Sequence, residues 1–177
     1  MTMETWGLGQ RVVDLRRAFD EGFGAPPRGA PEETVDLLAI RIAGDAYALK
    51  IGDLVSLAPS GRVVPLPSRQ PGLLGLTGIR GSVLPVYGLG LLLGYESAHV
   101  TLRWLALAGG AEPVALAFDE LEGFLRVNRT ELCVDVPRRN VREAVRAGNV
   151  TRMIVDTASL VAALKAKAGE AGATKET

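Results

Sequence analysis

From Val35 onward apolar side chains recur at every second position, and this alternation constrains the chain more than any other feature. Leu38, Ile40 and Ile42 alternate with Leu37, Ala39 and Arg41, Ala43-Gly44-Asp45 supplies a turn, and Tyr47, Leu49 and Ile51 then alternate with Ala46, Ala48 and Lys50. Successive side chains of a strand point to opposite faces, so the pattern predicts a β-hairpin. The return strand carries large apolar groups on one face and mostly alanine on the other. That predicts one wall of a small barrel whose interior is filled by the large side chains.

The same layout returns later in the chain. Leu102 to Ala108 reads as a strand, Gly109 to Pro113 as a turn, and Val114, Leu116 and Phe118 alternate with Ala115 and Ala117 before Asp119-Glu120-Leu121. Set against Tyr47, Leu49, Ile51 and Gly52-Asp53-Leu54, this is an internal pseudo-repeat in pattern more than in identity, which predicts two similar β units. Between the hairpins, Val63 to Leu66 and Val83 to Val86 are short strands, with Pro65, Pro67, Pro71 and Pro85 confining some of them to edges or strand starts. Phe124 to Val127 is a further strand. Val141 to Arg146 and Val150 to Val155 flank the turn sequence Ala147-Gly148-Asn149 and predict another hairpin.

The two ends differ from this. Leu8, Val12, Leu15 and Phe19 recur at helical spacing before Gly22, Gly24, Pro26, Pro27 and Pro31 break the pattern, so residues 1–33 read as an amphipathic helix and linker. That helix either packs on its own barrels or reaches another chain. At the other end Leu160, Val161 and Leu164 predict a helix over Thr157 to Lys167, followed by a disordered tail over 169–177.

Composition excludes several function classes. Lys and Arg number 20 against 20 Asp and Glu, so no net field gathers phosphate backbones, and aromatics at 5% leave little for bases to stack on. A nucleic-acid-binding β-barrel therefore stands only as an alternative from another class. His99 is the single histidine, which rules out a two-histidine metal site, and its polar setting reads as a solvated loop. The single Cys133 fits a reducing compartment, and its place in the run Leu132-Cys133-Val134 predicts a small buried apolar residue. The glycine-rich run Pro71 to Gly81 lacks the Gly-Lys-Ser/Thr ending of a phosphate loop and leads into a strand. The most apolar stretch, Val83 to Leu93, is interrupted by Pro85, Gly88 and Gly90, so no membrane insertion is expected. No catalytic, cofactor or metal site emerges, and a cytoplasmic location is expected.

The segment Pro71 to Leu89 resembles the signature of CheW-like domains: a glycine, two residues, an asparagine, an apolar residue and Arg-Gly lead into an apolar strand ending Pro-Val, with Asp-Leu shortly after. Gly75, Arg80, Gly81, Pro85, Val86 and Leu89 match it. The resemblance extends to the flanking hairpins, to Leu92-Leu93-Gly94 and to the final strand and helix, and covers roughly Val35 to Lys167. It implies a mainly β fold of two five-stranded Src-homology-3-like barrels sharing a core, with an N-terminal and a C-terminal helix. The domain is expected over 34–168, with its second barrel subdomain beginning near 95. The resemblance also implies a non-catalytic adaptor bridging the regulatory domain of a chemosensory histidine kinase to the cytoplasmic tip of a chemoreceptor. An accessory regulator of a non-chemotaxis two-component pathway, controlling motility or gene expression, remains the alternative within the same fold.

Three departures bear on partner binding. The asparagine of the pattern is Gly78 here, the aspartate after Pro-Val is Gly88, and the acid that typically pairs with the motif arginine is Ser56. A guanidinium buried without a counter-charge costs roughly several kcal/mol, so Arg80 is expected either to be solvated or to find another acid, with Asp53 a candidate. The partner-binding positions expected from the resemblance are Arg80, Leu54, Val55, Ser56, Gly75, Gly78 and Gly81. For the glycines the alternative is purely conformational, and for Leu54 and Val55 it is core packing.

Overall fold

The computed structural model describes residues 33–68, 70–96 and 102–173, and the expected N-terminal helix lies outside them. Twelve strands are defined: β1 Thr34–Ile42, β2 Asp45–Lys50, β3 Leu54–Pro59, β4 Val63–Val64, β5 Leu73–Ile79, β6 Ser82–Gly88, β7 Trp104–Ala108, β8 Val114–Phe118, β9 Glu120–Asn128, β10 Leu132–Arg138, β11 Val141–Ala147 and β12 Val150–Val155. A short helix α1, Leu89–Leu93, follows β6, and α2, Thr157–Ala173, follows β12. The C-terminal helix thus runs to Ala173, into the stretch expected to be a disordered tail. Asp156 starts it by accepting the Ser159 N–H at 3.1 Å, satisfying one of the donors that a helix N-terminus leaves free.

The strands form two mixed sheets of six each, ordered β10-β11-β12-β2-β1-β9 and β3-β7-β8-β6-β5-β4. Five strands per barrel were expected; the sixth in the second sheet is the two-residue edge strand β4. The mainly β, two-sheet architecture is as expected, but the connectivity is not that of two consecutive barrels. In chain order the first repeat is hairpin β1-β2, strands β3 to β6 and helix α1; the second is hairpin β7-β8, strands β9 to β12 and helix α2. Each hairpin is built into the sheet of the other repeat. The β1-β2 hairpin lies beside β12, with β2 parallel to it, and the β7-β8 hairpin lies beside β6, with β8 parallel to it. The sheets therefore do not divide at residue 95: the chain leaves the first sheet at the 3-10 turn Ile51–Asp53 and re-enters it after Asp119.

The exchange of hairpins decides where the core lies. Leu38, Ile40, Tyr47 and Leu49 from one sheet meet Leu116, Phe118 and Tyr87 from the other, with Leu89 of α1 and Leu160, Val161 and Leu164 of α2, in one core shared by both sheets. The alanine faces close smaller cores of their own: Ala115 and Ala117 against Val86, Leu105 and Leu107, and Ala48 against Leu37, Val145 and Ile154. This reverses the expectation that large side chains fill the barrels. A tightly curved sheet leaves little room on its concave side, so alanine suits it, while two sheets packed face to face leave space for Leu, Tyr and Phe.

Two hairpins turn in the same way. Ala43 and Gly44 have φ of 51° and 85°, and Arg80 and Gly81 have 51° and 81°, closed by the pairs Ile42↔Asp45 and Ile79↔Ser82. Positive φ at both central residues is the two-residue turn whose twist matches that of the strands. Cys133 is exposed, contrary to expectation. It lies on β10, at the edge of its sheet, where Leu132 turns to the small core and its neighbour necessarily faces the other way.

One charge cluster, of which only Arg152 is buried, ties three strands of the first sheet. Glu122 on β9 accepts from Arg41 Nε on β1 at 2.7 Å and pairs with Arg152 Nη1 on β12 at 2.5 Å, and Arg152 is only 8% exposed. Burial opposes ionisation of Glu122, but the hydrogen bonds and charges of the two arginines outweigh it and hold the carboxyl below its ordinary value of 4.5. A carboxyl depressed in the folded state contributes stability that is complete above that value and lost as pH falls through the lower folded one. Replacing Glu122 by Gln leaves Arg152 buried without its charge partner. It is expected to cost about 2 kcal/mol at neutral pH, with the deficit shrinking on acidification, as urea unfolding at stepped pH would read.

Candidate functional site

A groove of about 540 Å³ opens on the second sheet, and its walls come from several of its strands and the C-terminal helix. Strand β3 contributes Val55 and Ser56, the β5-β6 hairpin contributes Arg80 and Val83, the β7-β8 turn contributes Glu112, and α2 contributes Leu164 and Lys165. Lys165 is fixed by donating from Nζ to the Gly109 carbonyl at 2.8 Å, which ties the helix to the β7-β8 turn.

Local pairing explains why apolar side chains remain uncovered here. Along β3 the register runs Leu54↔Ala108 and then Ser56↔Leu107, so Val55 is the extra residue of a β-bulge. A bulge re-aims the side chain it carries, and Val55 is 55% exposed while Leu54 packs against the shared core. On β6, Val83 pairs with Gly78, which has no side chain to lie across it, and Val83 is 69% exposed. Two valines thus flank the groove with apolar surface that the described residues do not bury.

The expected partner-binding positions separate on this geometry. Val55, Ser56 and Arg80 line the groove, with Arg80 exposed at the tip of its hairpin and Gly81 exposed beside it. Gly78 is exposed and shapes the groove by what it leaves open. Leu54 belongs to the core. Gly75 is buried in β5 with φ of 151°, and a Cβ there would lie 2.1 Å from the Val64 carbonyl oxygen, so backbone proximity demands glycine at that position. Val83, Glu112 and Lys165 were not singled out from the sequence. Only the glycine opposite Val83 hinted at its exposure, and nothing local placed a turn and a C-terminal helix beside Arg80.

Arg80 has no ion-pair partner among the described residues. The candidate Asp53 has other neighbours: burial raises its pKa, Lys50 opposes the rise, and Asp156 and Glu143 add to it. Among the described residues no group of His, Cys, Asp and Glu is placed to hold a metal ion, and no helix is long and apolar enough to cross a membrane. What the groove can do is bind: it offers apolar area within a charged rim, the anatomy of a protein-binding surface.

Comparison with known proteins bears on the family and the fold. The model of the CheW-like domain matches residues 36–165, well over half of the chain. The chain belongs to the CheW-like family. This CheW-like protein is also similar to a solved structure, the scaffolding protein CheW of Thermoanaerobacter tengcongensis, at 15% identity and a TM-score of 0.62, over 68% of this chain and 88% of that one. At such identity the likeness speaks for the fold. No curated protein sequence matches the chain. The family is one of chemotaxis scaffolds and adaptors, so protein partners follow from membership.

Proposed function

We propose that this CheW-like protein is a cytoplasmic, non-catalytic adaptor whose domain over 34–168 couples the cytoplasmic tip of a chemoreceptor to the regulatory domain of a chemosensory histidine kinase. The observation that carries the reading is the open groove flanked by Val55 and Val83 with Arg80 at its rim. We assign the receptor tip to this groove, with Val55, Ser56 and Arg80 as contacts and Gly78 and Gly81 shaping the hairpin. Burying two valines contributes about 3 kcal/mol or more before association costs, a modest contact of the kind that an array reinforces by avidity.

The test is direct binding of the full chain to a soluble receptor-tip fragment and to a kinase regulatory domain from the same genome. Wild-type chain is expected to bind both, and Val83→Asp to weaken the receptor contact about tenfold or more while leaving the kinase contact unchanged. Binding to neither fragment would overturn the reading. The departures at Ser56, Gly78 and Gly88 support a second assignment within the same fold, an accessory regulator of a non-chemotaxis two-component pathway. Retention of the kinase domain without any receptor tip would favour it.

A further inference from the structure

The groove dictates a charge on whatever occupies it. Arg80 lines the groove together with Val55 and Val83, so a partner that fills it and covers those exposed valines also strips water from the guanidinium. A dehydrated guanidinium is costly unless a carboxylate meets it, and among the described residues none does: Ser56 in the same groove offers a hydroxyl, and Glu112, at the β7-β8 turn, forms no ion pair with it. The backbone adds a second indication. Arg80 has φ of 51° at a turn position that favours Asn, Asp or Gly, so an arginine is held there against local preference.

We infer that the partner seated in this groove presents an Asp or Glu side chain to Arg80, forming between two chains the ion pair that Arg80 does not form among the described residues. The identity of the partner as a receptor tip rests on the adaptor reading above. Arg80 then selects partners as well as holding them, because a tip with a neutral or basic residue at the facing position leaves a buried charge uncompensated.

The experiment measures affinity of the full-length chain for a soluble receptor-tip fragment from the same genome, using Arg80→Asn, Arg80→Glu and Ser56→Glu. Asn suits the turn, so Arg80→Asn is expected to melt no lower than wild type while binding about tenfold more weakly. Arg80→Glu is expected to lose more, and to regain affinity when one acidic residue of the tip is changed to Lys. Ser56→Glu is expected to weaken binding as well, because a carboxylate lining the same groove competes for Arg80. Raised salt is expected to narrow the difference between wild type and Arg80→Asn. If Arg80→Asn and Arg80→Glu bind as wild type does while Val83→Asp fails, the acid is not required and the adaptor reading stands without it. If the wild-type chain binds no tip fragment, both fall together.

Discussion

Phe118→Ala is expected to destabilise the protein by about 3–5 kcal/mol, read as a lowered urea midpoint with an unchanged slope. Phe118 is fully buried on β8 in the core shared by the two sheets, opposite Trp104 of β7. The cavity left by the ring would sit between two sheets, each held by its own strand pairing, that cannot collapse onto it without moving relative to each other, which places the cost in the upper part of the usual range. Because β8 belongs to one repeat and hydrogen-bonds to β6 of the other, loss of this packing is expected to weaken both sheets in one cooperative transition. A loss under about 1 kcal/mol, or two resolved transitions, would show that the sheets do not depend on their common core.

The second large effect is expected at Gly75→Ala. Its φ of 151° is one that L side chains rarely adopt, and the added methyl would lie 2.1 Å from the Val64 oxygen and 2.9 Å from the Pro65 Cα, both backbone atoms with nowhere to move while β4 pairs with β5. The expected loss is about 3 kcal/mol, with amide exchange at Thr77 and Leu76, the partners of Val63 and Val64, rising first. Melting within error of wild type would mean that β4 detaches at almost no cost. Since Arg80 lies at the far end of β5, the variant also separates the structural part of the glycine-rich motif from its binding part: affinity per folded molecule should change little.

Much of the fold was legible because its strands obey a period of two. The β1-β2 and β7-β8 hairpins were read within a few residues of their observed limits, and the similarity of the two repeats in pattern is mirrored in their topology. The exposed Cys133 was misread because alternation distinguishes two faces without saying which is covered, and at an edge strand only one of them is. The candidate site was legible only in part. Arg80 stood out as a charge inside a glycine-rich turn, and Ser56 as a missing acid, whereas Val55 owes its exposure to a bulge and Val83 to an absent cross-strand neighbour. Both depend on register, which is a property of strand pairs.

By itself the amino-acid sequence determined the hairpins, the repeat and the glycine-rich motif, while β3, β5 and β10 were not read as strands, because alternation is clear only where large and small side chains trade places over a few residues. Tertiary structure alone decided that each hairpin completes the other repeat's sheet, that alanine faces the tight interiors while Tyr47, Leu116 and Phe118 fill the space between, and that α2 comes to rest beside Arg80. The physical reason is that alternation sorts a strand's residues onto two faces without saying what each face will meet. Only the room available on each side, set by sheet curvature and by the partner sheet, decides which face holds large residues and which groove stays open.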